Sequence, residues 1–176
     1  MLNPQRIKEA EQNVKIYLKE NLLKKENFQE NIFAILHRNA QDSLEISAFL
    51  LQNNKSDLWI IITAYYSMFY IANATLYKIG FKVGEKIAHK VTADALIVFI
   101  RAKLKTSLLE NYENTKDIAL AGMKADIIIQ NFDSERNKRN RVQYETKEAE
   151  LHSKARTSIE RAKEFLFELE KLIGRK

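Results

Sequence analysis

The densest concentration of chemically useful side chains is Glu135-Arg136-Asn137-Lys138-Arg139-Asn140-Arg141-Val142-Gln143-Tyr144. Four cations, Arg136, Lys138, Arg139 and Arg141, fall within six positions with no acid among them. At about 100° per residue, Arg136, Arg139, Asn140, Gln143 and Tyr144 share one side of a helix. Guanidinium forks match phosphate oxygens, amides reach bases or ribose hydroxyls, and a phenol stacks on an exposed base. Such a set suits RNA or a nucleotide. The plainer alternative is a basic helical end that complements its own dipole and stays solvated. Spacing alone does not choose between them.

Other chemistries find little footing. The three histidines, His37, His89 and His152, fall on different segments, and none has a second ligand one helical turn away. There is no cysteine, hence no thiolate site and no disulfide framework. A phosphate-cradling glycine loop and a nucleophile elbow are also missing, and most carboxylates sit three or four positions from Lys or Arg, as on a solvated face. The expectation is no metal and no cofactor. The tyrosine-rich run Ala64-Tyr65-Tyr66-Ser67-Met68-Phe69-Tyr70 reads as core, with Ser67 or Asn73 available to its phenols. Asn73-Ala74-Thr75 matches a glycosylation triplet but lies inside a helix expected to be buried.

The elements that must position these groups are helical. Four Gly and one Pro in 176 residues are too few for a turn-rich strand protein, and 45% hydrophobic content is too high for disorder. A net charge of +6 favours anionic partners. Lys78 to Lys105 carries seven basic groups against Glu85 and Asp94. Met1 to Glu20 lacks the apolar core of a signal peptide, which with the absence of cysteine points to a cytoplasmic protein. Leu58 to Leu76 has no formal charge and approaches the length of a membrane span. Its polar residues and mid-span tyrosines instead indicate the buried central helix of a bundle.

Along the chain, Asn3-Pro4 opens a helix expected to reach about Leu23. A second is expected from about Asn27 to Leu51, where Phe33, Leu36, Ala40, Leu44, Ala48 and Leu51 form a stripe that must bury. Ser56 or Asp57 caps the apolar third helix, which stops before Gly80, a natural left-handed position. The fourth is expected over about Ile87 to Lys105, with Val91, Ala95, Val98 and Ala102 inward. Asn114 with Asp117 starts a fifth, carrying Ile118, Ala121, Ile127, Ile128 and Phe132, with Gly122 as a kink or break. The last begins near Thr146 and faces inward with Leu151, Ala155, Ile159, Ala162, Leu166, Leu169 and Ile173. This is an all-α domain over residues 27–176 with residues 1–26 as an N-terminal helical arm. The arm's stripe of Ile7, Val14, Ile16, Tyr17, Leu18 and Leu22 leaves open whether it packs on the bundle, swaps between protomers or extends the fold.

Three features in order resemble the HEPN family (higher eukaryote and prokaryote nucleotide-binding domain). The first is the polar break Asn53-Asn54-Lys55-Ser56-Asp57 leading to the tyrosine pair and Met68-Phe69. The second is Gly80 and a short loop to His89-Lys90. The third is Arg136-x-x-Arg139-Asn140-x-Val142-x-Tyr144 before an amphipathic helix. The resemblance covers about Phe28 to Ile173. It implies an up-and-down bundle of four to five antiparallel helices, a homodimer, and an arginine motif lining the cleft between protomers. Many members are metal-independent endoribonucleases, several of them toxins paired with a nucleotidyltransferase antitoxin, and others bind RNA or nucleotides without cutting. Carried onto this chain, Arg139, Asn140 and Tyr144 would take the catalytic positions, and Arg136, Lys138 and Arg141 would bind nucleic acid.

The chain departs from the family in one respect. Active members place a histidine four to six residues after an arginine. Counted from Arg139 that position holds Tyr144, and from Arg136 it holds Val142. Attack by an RNA 2′-hydroxyl needs a base effective near neutral pH, which histidine supplies with a pKa of about 6.5, whereas tyrosine at about 10 stays protonated. Loss of such a base forfeits ~10²–10⁴ in rate. The expectation is therefore an RNA- or nucleotide-binding module with a degenerate nuclease motif. A weak metal-independent endoribonuclease and a non-enzymatic partner of a nucleotidyltransferase are the alternatives.

Overall fold

The computed structural model describes residues 3–123 and 141–174, with side chains in the last helix from Ala149 onward. Six α-helices and one two-stranded ribbon make up these residues: α1 (Pro4–Lys19), β1 (Leu23–Lys25), α2 (Glu30–Gln52), α3 (Asp57–Lys78), β2 (Phe81–Val83), α4 (Ala88–Phe99), α5 (Thr106–Gly122) and α6 (Arg141–Gly174). The all-α expectation holds.

Helix α3 is the hub. It packs on α2, α5 and α6 as well as on α4, so a nearly uncharged helix has apolar neighbours on most sides. Ile60, Ile61, Ala64, Tyr65, Met68, Ile71, Ala72 and Leu76 are all sealed from solvent. Each large side chain so buried contributes roughly 1.5–3 kcal/mol relative to exposure. Among the described residues no helix is long and apolar enough to cross a membrane. The inner stripe of α6 matches the sequence pattern, with Ala155, Ile159, Ala162, Leu166 and Leu169 buried and Leu151 and Ile173 packed at its ends. In α2 the expected stripe also faces inward, but only Ala40 among its apolar residues is fully covered. The tyrosine-rich run is half core: Tyr65 and Met68 are buried, whereas Tyr66, Phe69 and Tyr70 are partly open.

Several boundaries differ from the expected ones. Helix α1 stops at Lys19, and Asn21 takes a left-handed backbone (φ 59°) that turns the chain. Leu23–Lys25 then pairs antiparallel with Phe81–Val83, in the register Leu23↔Val83, Lys24↔Lys82 and Lys25↔Phe81. Lys24 facing Lys82 is an unfavourable cross-strand pair, offset by Lys82 Nζ reaching Glu26 Oε1 at 2.9 Å. Gly80, at φ 91°, supplies the turn between α3 and β2. Helix α4 ends at Phe99 and passes through a short 3₁₀ turn, Arg101–Lys103, after which α5 begins at Thr106. Ala102, expected inward, is exposed in that turn. The buried series Leu108, Leu109, Tyr112, Thr115 and Ala119 explains the early start of α5.

The N-terminal arm packs on the bundle. Ala10, Val14 and Tyr17 join the common core against α4, while Ile16 from the expected stripe points outward.

Candidate functional site

Arg136, Lys138, Arg139 and Asn140 lie outside the described residues, as do Ile127, Ile128 and Phe132. Arg141 and Tyr144 belong to the opening turns of α6, where the backbone is described. The described ends of α5 and α6 both pack on the first turn of α3. Helix α5 ends at Gly122, buried so tightly that a Cβ there would collide with Leu58 Cδ1. Leu58 sits in the first turn of α3. Helix α6, which follows the basic stretch, crosses that same turn at His152, where Nδ1 lies 2.9 Å from Asp57 Oδ1.

The contact defines the state of the imidazole. An ionised carboxylate only accepts hydrogen bonds and a guanidinium only donates. Nδ1 therefore donates to Asp57, and Nε2 accepts from Arg156 Nε at 3.1 Å. This neutral tautomer carries its lone pair toward Arg156. An open groove of about 680 Å³ adjoins the histidine, lined by Asn54, Lys55, Ser56, Asp57, Ala149, Leu151 and His152. Its floor is the polar break between α2 and α3, where Asn54 adopts φ 48°. The Ser56 side chain makes no capping bond to the first turn of α3.

The other two histidines have different settings. His37 Nε2 pairs with Glu170 Oε1 at 2.9 Å, tying α2 to α6. His89 Nδ1 lies 2.7 Å from the Tyr65 hydroxyl, with the rings of Phe69 at 4.6 Å and Tyr66 at 6.0 Å. Burial, and secondarily the nearby charge of Lys116, lowers the His89 pKa below its ordinary value. Burial likewise pushes the Tyr65 and Tyr112 phenols upward, so both stay protonated. Among the described residues no three His, Cys, Asp or Glu side chains gather to hold a metal ion.

A second acid–arginine assembly joins α1 to the bundle. Asp94, fully buried on α4, accepts from Tyr17 Oη at 2.8 Å and Asn13 Nδ2 at 2.9 Å, both through Oδ2. Its Oδ1 lies 2.6 Å from Arg6 Nη1. Arg6 also donates to Glu113 Oε1 on α5 through Nε at 3.0 Å and Nη2 at 2.7 Å. Burial opposes the Arg6 charge, but the bonds to Asp94 and Glu113 outweigh it and raise the pKa. Burial, reinforced by the bond to Asp94, raises that of Tyr17.

Sequence reasoning missed Asp57, His152 and Arg156 as a unit. The available signal was weak: His152 and Arg156 are one turn apart, but Asp57 lies 95 positions away from His152. No family model, no curated protein and no solved structure matches this chain.

Proposed function

We propose that this protein is a HEPN-like, homodimeric cytoplasmic module that binds RNA or a nucleotide through the basic stretch Arg136–Tyr144. The observation that supports the reading is that the described ends of the two helices on either side of residues 124–140 both meet the first turn of α3. Helix α5 ends packed on Leu58, and α6, whose opening turns carry Arg141 and Tyr144, meets Asp57 at His152 beside an open groove lined by Lys55. In this reading Arg136 and Arg139 clamp phosphate, Asn140 contacts a ribose or base, and Tyr144 stacks. A charge-assisted bond is worth about 1.5–3 kcal/mol. Arg136→Ala with Arg139→Ala is therefore expected to weaken binding of a short single-stranded RNA by well over tenfold, measured by fluorescence anisotropy, and to flatten its salt dependence. Unchanged affinity in the double variant rejects the reading.

Self-association is supported by α2. Ile35, Ile46 and Phe49 are exposed, and their spacing places them on one side of the helix together with Arg38 and Asp42. In an antiparallel pairing of two α2 helices Arg38 meets the partner's Asp42, and the reverse contact forms by symmetry. Phe49→Glu is expected to convert the dimer to monomer by light scattering. A wild-type chain that is monomeric at high concentration contradicts this part.

One observation favours nuclease activity as a second reading. His152 supplies an imidazole, oriented by a carboxylate, on the same helix as Tyr144. Metal-independent cleavage that resists EDTA and disappears in His152→Ala would establish it, and intact RNA at high protein concentration would exclude it.

A further inference from the structure

The groove at Asp57 and His152 has a charge arrangement that RNA clamping by the Arg136–Tyr144 stretch does not require. Lys55 and His152 line it, Arg156 adjoins it, and Asp57 is the acid in direct contact with the imidazole. On the same helix Glu150 is engaged by Lys154, whose hydrogen bond lowers the Glu150 pKa. Arg156 is exposed, and its Nε donates to the lone pair of His152 Nε2, so that among the described residues a cation rests against a neutral ring. The first turn of α3, from a helix of 22 residues, opens at the same place without a side-chain cap, and its dipole favours negative charge there.

We infer that this groove is a binding site for a terminal phosphate monoester, held by Arg156, Lys55 and the imidazolium of His152. The dianion recruits the Arg156 guanidinium. Nε2 is thereby released, takes one proton from solvent and donates it as a hydrogen bond to a phosphate oxygen, while Nδ1 keeps its bond to Asp57. Two cationic side chains and a third created on binding match a group that carries close to two negative charges near pH 7. An internal phosphodiester, with a single charge, completes the set less well. Phosphate affinity and His152 protonation are thus linked: the ligand raises the His152 titration midpoint, and binding tightens as pH falls through it. The site uses residues separate from the Arg136–Tyr144 stretch and goes beyond the binding reading above.

The test is a titration of the full chain with sulfate, which stays a dianion across the scan and so separates protonation of the protein from that of the ligand. The His152 ring resonance is followed by NMR between about pH 5.5 and 8, a window that brackets the ordinary histidine pKa. The expected result is an upward-shifted His152 midpoint in sulfate, affinity that rises toward low pH, at least tenfold weaker binding in Arg156→Ala, and pH-independent residual binding in His152→Gln. A flat pH profile in the wild type, or wild-type affinity in either variant, overturns the proposal. Competition then identifies the source of the phosphate. Displacement of sulfate by adenosine monophosphate marks a free nucleotide, and displacement only by a 5′-phosphorylated oligonucleotide, not its 5′-hydroxyl form, marks a nucleic-acid end. Displacement by neither overturns the proposal. Sulfate binding that survives in Arg136→Ala with Arg139→Ala separates this site from the RNA clamp.

Discussion

Asp94 and Asp57 each bring a carboxylate together with an arginine and a ring, yet the two assemblies do opposite things. Around Asp94 both carboxylate oxygens are taken, by Tyr17 and Asn13 on one side and Arg6 on the other, and the group is fully buried. It is sealed from solvent, and its partners among the described residues come from α1. Around Asp57 the chain of contacts runs outward through His152 to an exposed arginine and ends at a groove. The difference lies in exposure rather than residue type. A closed set of ionic bonds docks a helix, whereas an open one leaves unspent hydrogen-bonding capacity facing solvent.

Removing the closed assembly has the largest expected effect. Asp94→Ala leaves Arg6 with Glu113 and unpairs Tyr17 and Asn13, and each hydrogen bond lost to a charged group typically costs about 1.5–3 kcal/mol. Urea denaturation should show that loss, and limited proteolysis should show cleavage in α1 while the rest of the bundle persists. If stability stays within 1 kcal/mol or so of wild type, Asp94 is not the anchor of α1.

Histidine sharpens the same contrast at a smaller scale. Because burial depresses the pKa of His89 in the folded state, the unfolded chain binds a proton more readily. Stability from this group is present above the unfolded value of about 6.5 and is lost as pH falls below it. Thermal melts between about pH 5 and 8, a range spanning that value, should fall on the acid side, and His89→Gln should remove part of the slope while lowering stability at neutral pH. An unchanged slope in the variant would assign the acid sensitivity elsewhere.

The smallest expected effect belongs to the open assembly. Arg156 is exposed, so Arg156→Ala should change stability by no more than about 0.5 kcal/mol. A loss near that of Asp94→Ala would show that the Asp57 cluster is a structural clasp after all.

The contrast also explains what could be read from the chain. The inner stripe of α6 and the buried run of α3 were legible because apolar spacing at a helical period needs no long-range information. Gly80 was legible because a left-handed turn favours glycine. The ribbon was not, since each strand has three residues and pairing joins positions nearly sixty apart. The start of α5 is hard to read because an Asn114–Asp117 capping pattern competes with Leu108, Leu109 and Tyr112 just before it. The histidines have no second ligand one turn away, yet each takes a partner from another helix: Tyr65, Glu170 and Asp57. A polar pair formed by tertiary packing leaves no local period to detect.

The most direct test of the central claim is a map of where RNA touches the protein. Ultraviolet cross-linking of a short single-stranded RNA to the full chain, read by mass spectrometry, should place the adducts between Arg136 and Arg156, with Tyr144 prominent. Adducts confined to the lysines of the ribbon, Lys24, Lys25 and Lys82, would contradict the account.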